Sequence, residues 1–211
     1  MEKNGLLIVI SGFSGAGKGT LVKALLQKYD DYALSISMTT RAPREGEQDG
    51  VEYFFVTKEK FEETIQRDGL IEYASYCGNY YGTPRAYVEE QMALGRNVIL
   101  EIEIQGALKI KEKFPESLLI FVSPPNADEL KRRLERRGTE SAEMIARRLA
   151  RAVEESEGVE AYDYILVNDD LETCVEELHG LVDAARRAPV RSQKLIRKIR
   201  EELQSFRKGA D

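Results

Sequence analysis

A chain of 211 residues, 42% hydrophobic and 32% charged, suits one domain or one core with insertions, and it is long enough to bury a substantial core. The net charge of −6 argues against general affinity for nucleic acid, no apolar run approaches a membrane span, and Met1–Gly5 lacks the layout of a signal peptide. A single histidine, His179, and two cysteines without metal spacing, Cys77 and Cys174, argue against a histidine-rich metal centre or a histidine-dependent triad and lead us to expect reduced thiols in the cytoplasm.

The run Leu6–Ser11 is continuously apolar up to its last residue, the pattern of a strand buried on both faces. It leads into Gly12-Phe13-Ser14-Gly15-Ala16-Gly17-Lys18-Gly19-Thr20, and an amphipathic helix follows through Leu21, Val22, Leu25 and Leu26 to Tyr29. Strand, glycine-rich turn and helix form the context of a phosphate-binding loop. Glycines let successive backbone N–H groups turn inward, the helix start adds its unpaired N–H groups, and Lys18 supplies a charge for the outer phosphates. The usual loop has a hydroxyl directly after the lysine. Here Gly19 holds that place and Thr20 comes one later, so a magnesium ion loses its customary protein ligand from the loop.

A strand is expected at Leu34–Ser37, which makes a β-α-β unit and a parallel sheet. From Met38 the character changes. A polar, turn-rich stretch runs through Arg41 and Arg44 to Gly50, followed by expected strands Val51–Val56 and Leu70–Tyr76 around a short helix Lys58–Arg67. A hairpin-like turn, Gly78–Gly82, completes a small α+β insertion, and Pro84 opens a helix to about Leu94. Asn97–Glu103 is a core strand with carboxylates near its C-terminal end, where open parallel sheets bind ligands. A helix Gln105–Lys113 and a strand Leu118–Val122 follow. Asn126–Glu157 is helical and basic, opened by Asn126 with Glu129 three residues on, and broken at Gly138. Tyr164–Val167 is the last strand and Leu171–Ala188 a helix, closed by Pro189; Val190–Asp211 is a basic amphipathic extension.

Several motifs then agree in order. The first is Ser37-x-x-Thr40-Arg41-x-Pro43-Arg44-x-Gly46-Glu47-x-x-Gly50-x-x-Tyr53-x-Phe55, followed by Glu72 and Gly78-Asn79-Tyr80-Tyr81-Gly82-Thr83. After them come Ile99-Leu100-Glu101-Ile102-Glu103-Ile104-Gln105-Gly106, Arg136-Arg137-Gly138-Thr139-Glu140 and Val167-Asn168-Asp169-Asp170. Together with the Gly-Lys-Gly-Thr loop, this set resembles guanylate kinase from about residue 5 to 187. The resemblance implies an α/β P-loop NTPase core with a parallel sheet flanked by helices, a small α+β GMP-binding insertion and a helical lid. Residues 1–37, 86–125 and 159–188 would form the core, 38–85 the insertion, 126–158 the lid and 189–211 the extension. It implies transfer of a phosphoryl group from ATP to GMP with Mg²⁺, by a monomer or homodimer with no nucleic-acid or membrane partner.

The resemblance also assigns residues. ATP would lie on Gly12, Ser14, Gly15, Ala16, Gly17, Lys18, Gly19 and Thr20, with Arg137 and Asn168 on the adenine side. Lys18, Arg41, Arg133, Arg137 and Arg148 would neutralise the transferring phosphoryl group. GMP would meet Arg41, Arg44, Tyr53 and Tyr81 at its phosphate, and Ser37, Glu72, Thr83 and Glu103 at guanine. Relatives often carry aspartates at 101 and 103; here both are glutamates, and Glu101 is expected in the water shell of the metal. Arg132, Arg136, Arg147 and Arg151, with Glu45 and Glu47, read as solvated charges. Two other classes share features. An adenylate- or uridylate-type kinase would keep the loop and lid without the Glu72, Ser37 and Thr83 set. A non-catalytic scaffold module would typically lose the loop lysine.

Overall fold

The computed structural model describes residues 5–76, 78–136 and 141–208. Cys77, Arg137 and Gly138 lie outside the described residues. In chain order the elements begin with β1 (Leu7–Gly12), α1 (Lys18–Lys28), β2 (Tyr32–Leu34), β3 (Met38–Thr39), β4 (Phe54–Phe55), α2 (Lys58–Gln66), β5 (Leu70–Tyr76), β6 (Asn79–Pro84) and α3 (Arg85–Ala93). They continue with β7 (Asn97–Glu101), α4 (Ile104–Lys113), β8 (Leu118–Ser123), α5 (Ala127–Arg136), α6 (Ala142–Ser156), β9 (Tyr164–Val167), α7 (Leu171–Arg186) and α8 (Gln193–Lys208).

The main sheet has the order β2-β7-β1-β8-β9 and is parallel throughout. Its central strands β1 and β8 are apolar on both faces because both are covered, whereas Tyr164, Ile165 and Val167 of the edge strand β9 are exposed. Ile8 and Ile10 of β1 pack with Leu21 and Leu25 of α1 and Leu178 and Val182 of α7. Leu7 and Val9 point the other way, to Val88 of α3 and Ala107 and Ile110 of α4. β1 is central, with β7 at one side and β8 at the other, and the chain switches direction across the sheet there. The loops leaving β1, β2, β7 and β9 all emerge at one carboxyl edge, the place where such sheets bind ligands.

A second sheet, β4-β3-β6-β5, is built between Met38 and Pro84, antiparallel except where β3 pairs β4. Here the expected strands are corrected. Leu34–Ser37 is not one strand: β2 stops at Leu34, the Ser35 amide still donates to Ile99 O at 2.9 Å, and the next strand, β3, belongs to the other sheet. Val51–Val56 shrinks to Phe54–Phe55, because Gly50 to Glu52 form turns closed by Gly50 N to Tyr53 O (2.8 Å) and Val51 N to Gln48 O (3.2 Å). The strand expected to reach Glu103 ends at Glu101, and Glu103 stands at the N-cap position of α4 without a side-chain cap bond.

The basic stretch folds as α5 and α6. Asn126 Oδ1 accepts from the Glu129 amide at 2.8 Å and opens α5 as expected. α5 buries Leu130 and Leu134, whereas no residue of α6 is buried. Leu195, Ile199, Leu203 and Phe206 of α8 are exposed. No helix among the described residues is long and apolar enough to cross a membrane. His179 packs: its ring stacks on Tyr29 at 3.8 Å and shares a hydrogen bond with the Tyr32 hydroxyl.

Candidate active site

The phosphate loop is shaped by backbone that only glycine accepts easily. Gly12, Gly15 and Gly17 have φ of 151°, 99° and 90°. A Cβ on Gly12 would lie 2.1 Å from Val122 O of the neighbouring strand. Gly17 precedes α1 without a side-chain cap, so the N–H groups of the first turn are open to an anion. The Lys18 ammonium folds over the loop and donates to Gly12 O (2.7 Å) and Phe13 O (3.2 Å). Phe13 turns inward, edge-on to Phe121 at 4.9 Å, and anchors the loop to the core.

Three further side chains brace this loop. Asn168, at the end of β9, donates from Nδ2 to Ala16 O at 2.8 Å and is buried. Its side-chain amide, expected on the adenine side, supports the loop backbone here. Arg133 of α5 donates to Asn168 O at 2.9 Å and Ala16 O at 3.4 Å, and Glu129 holds its Nε at 2.7 Å. Arg148 of α6 donates to the Ser14 hydroxyl. Thus Arg133 and Arg148, expected at the phosphates, converge on the loop from two helices. Gly19 and Thr20 are exposed at the start of α1.

Glu101, at the end of β7, lies across from Gly19. A Cβ there would sit 3.8 Å from Glu101 Oε2, so the glycine leaves room beside the carboxylate. Crowding by protein atoms raises the Glu101 carboxyl above its usual range, and the Lys18 charge pulls it back. The field of Glu101 reaches Tyr53 of the insertion, whose phenol is pushed up by burial first, then by Tyr81, with Glu101 adding to the same effect.

In the insertion the expected residues form two groups. Arg41 lies 5.4 Å from the Tyr53 ring centre, and Tyr53 meets Tyr81 edge-on at 5.9 Å. Arg41 is held by a residue the sequence reading set aside. Glu47 accepts from Arg41 Nη2 with both oxygens at 2.9 Å and from the Arg44 amide at 2.7 Å. The two side chains are only 15% and 16% exposed, so Glu47 is a partner and not a solvated charge. The Arg44 amide first, then the Arg41 guanidinium, hold the Glu47 carboxyl below its usual range. An arginine and a glutamate six apart in a loop rich in turn formers was the available signal. The Arg44 side chain is exposed.

The second group is Glu72 and Thr83. Glu72 is 5% exposed and Thr83 0%, and the Thr83 hydroxyl donates to Glu72 Oε1 at 2.9 Å. Burial pushes the Glu72 carboxyl up; the Thr83 bond, Lys109 and Lys113 pull it down. Ser37 is half-buried on the strand-free link between the two sheets. Glu103 makes an ion pair at 2.7 Å with Arg151 of α6, a contact the sequence reading missed by treating Arg151 as a solvated charge. Arg137 lies outside the described residues.

A cradle of open amides with a lysine therefore faces the same sheet edge as an insertion that holds a buried carboxylate and an arginine–tyrosine cluster. Comparison with known proteins agrees. A family profile described as guanylate kinase matches residues 4–185. A guanylate kinase of Caldanaerobacter subterraneus subsp. tengcongensis is 50% identical over 202 residues, covering 96% of this chain and 98% of the relative. One of Desulfitobacterium hafniense is 51% identical over 187 residues, covering 88% and 94%. The crystal structure of guanylate kinase from Anaplasma phagocytophilum superposes with a TM-score of 0.73 at 34% identity and 90% coverage of both chains. The chain belongs to the guanylate kinase family.

Proposed function

We propose that the chain transfers the γ-phosphoryl group of ATP to GMP, giving ADP and GDP, with the side chains divided between donor and acceptor. The observation that carries the choice of acceptor is the buried Glu72, held by Thr83 inside the insertion. A buried carboxylate needs donors. Guanine offers N1–H and an amino group; adenine has no N1–H and leaves the carboxylate short of a partner. Sites built on such bonds reject the mismatched base by factors on the order of 10⁴. Ser37 and Thr83 would complete the guanine contacts and Glu103 would add a second acceptor.

The acceptor phosphate would lie against Arg41, Arg44, Tyr53 and Tyr81. Glu47 orients Arg41 and also binds the Arg44 amide, so the two arginines are presented as a pair. The donor phosphates would rest on the amides from Gly12 to Thr20. The flexible stem of Lys18 would carry its ammonium from the loop carbonyls to the outer oxygens, and Arg133, Arg137 and Arg148 would approach from the lid. The acceptor needs no general base, because a phosphate monoester with a second pKa of about 6 is already largely ionised at neutral pH. Catalysis is then alignment and charge neutralisation.

The donor set fits magnesium in one way. No group of three metal-binding side chains occurs among the described residues, and Gly19 offers no hydroxyl. Glu101 is a hard oxygen donor with space beside Gly19, suited to hold a water of an ion otherwise bound by phosphates. Bound there, Mg²⁺ would supply charge compensation between the phosphates. The test of the whole assignment is ADP release from Mg-ATP with GMP, dGMP, AMP, UMP, CMP and dTMP. Turnover restricted to the guanine nucleotides is expected. Faster turnover with another monophosphate would overturn the role given to Glu72.

A further inference from the structure

Arg151 belongs to the lid but holds a residue of the acceptor side. Its Nη2 donates to Glu103 Oε2 at 2.7 Å and its Nε to Glu155 Oε1 at 3.1 Å. Glu103 sits between β7 and α4, while Arg151 and Glu155 are on α6, so this guanidinium joins helix and core. α6 has no buried residue of its own, which makes polar contacts such as this one, and that of Arg148 with Ser14, important for its placement. Glu155 is 13% exposed on its side chain, Glu103 66%. Burial first and then the Glu103 carboxylate raise the Glu155 carboxyl, so the two acids repel, and Arg151 between them, with Lys18, offsets part of that effect. Among the described residues, Glu103 Oε1 takes no hydrogen bond and remains an acceptor.

On the strength of the guanine contact proposed for Glu103, we propose that Arg151 is a positioning residue for the acceptor nucleotide. It fixes Oε2 of Glu103 so that Oε1 is presented to the guanine edge. Because Arg151 rides on the lid, the placement of that carboxylate depends on where α6 stands. Binding of GMP and the position of the lid are thereby linked, and the linkage is reciprocal. Arg148 lies three residues away on the same helix, so an acceptor nucleotide that engages Glu103 also fixes an arginine at the phosphate loop.

The test compares wild type, Arg151→Ala, Arg151→Lys, Glu103→Ala and the Arg151→Ala/Glu103→Ala double variant. KM for GMP, KM for ATP and kcat are measured, with GMP affinity by calorimetry and folding checked by circular dichroism. Arg151→Ala is expected to raise KM for GMP about threefold, the size of a part-exposed ion pair, with KM for ATP unchanged. Glu103→Ala is expected to raise it about tenfold, as loss of a hydrogen bond to a charged group does. The double variant should be no worse than Glu103→Ala, and Arg151→Lys should recover part of the loss. An unchanged KM for GMP in Arg151→Ala, or penalties that multiply in the double variant, overturns the positioning role. A wild-type KM in Glu103→Ala overturns the guanine contact itself, and the two failures are told apart by which single variant is silent.

Discussion

In the proposed arrangement the phosphate loop and the acceptor insertion solve the same problem, holding a phosphate, in different ways. The loop uses backbone. Its shape comes from glycines at φ of 151°, 99° and 90°, fixed between strands whose side chains are buried on both faces. The insertion uses side chains. Its strands β3 and β4 are two residues each, and Arg41 is oriented by Glu47 and the rings of Tyr53 and Phe55. A site made of backbone tolerates change wherever a Cβ fits and fails where one does not. A site made of side chains depends on each partner, and its parts can be weakened separately.

The largest expected effect divides the two regions. Lys18→Ala removes the one charge that the backbone cradle cannot supply. Turnover is expected to fall about 10³-fold, the scale on which removal of a charge-stabilising donor acts. GMP affinity, measured by calorimetry, should stay within about twofold, because the Lys18 ammonium donates to the carbonyls of Gly12 and Phe13 in the phosphate loop. Near-normal turnover would break the comparison, since the loop would then be a structural turn.

Glu72→Gln is the counterpart on the acceptor side. The amide keeps the shape and one acceptor oxygen, but presents donors where guanine presents its own. The preference for GMP over AMP in kcat/KM is expected to drop about 10²-fold, with turnover at saturating GMP less affected. The raised carboxyl of Glu72 adds a pH signature. Protonation sets in at a higher pH than for an ordinary carboxylate, and the protonated acid loses an acceptor for guanine. The part of the acid limb of kcat/KM for GMP that belongs to Glu72 should therefore lie above the usual carboxylate range and be lost in Glu72→Gln, which keeps only the limb of the GMP phosphate itself, as a pH profile of both enzymes would show. Unchanged discrimination against AMP would remove the base-reading role from the insertion.

The same contrast explains what the sequence revealed. The loop was legible because its chemistry lies in consecutive residues: Gly12 to Thr20 announce a strand, a turn and a helix start within one window. The core strands were legible because β1 and β8 are apolar without alternation, the mark of two covered faces. Pairings across distance were not. Nothing local distinguishes Arg151, which meets Glu103 from 48 residues away, from Arg147, which makes an exposed ion pair with Glu143 one turn back. Asn168 followed the same rule: its position at the end of a strand was readable, its use as a brace for Ala16 was not. The strand expected at Val51–Val56 failed for a local reason, since the turn bonds of Gly50 and Val51 capture backbone groups that a ladder would need.

Glu47→Gln is the finest probe of the insertion. Glu47 touches no nucleotide in the proposed arrangement; it grips Arg41 with two oxygens and the Arg44 amide with one of them. The glutamine is nearly isosteric and can keep a single acceptor for either partner, but not the charge-assisted pair to Arg41. Arg41 should then sample other orientations, and KM for GMP should rise about fivefold while the KM for ATP and the melting temperature stay close to wild type. Guanosine, which lacks the phosphate, should bind both enzymes equally if the effect passes through Arg41. A matching loss for guanosine would instead mean that Glu47 holds the whole insertion in shape, and the acceptor phosphate would need no oriented arginine pair.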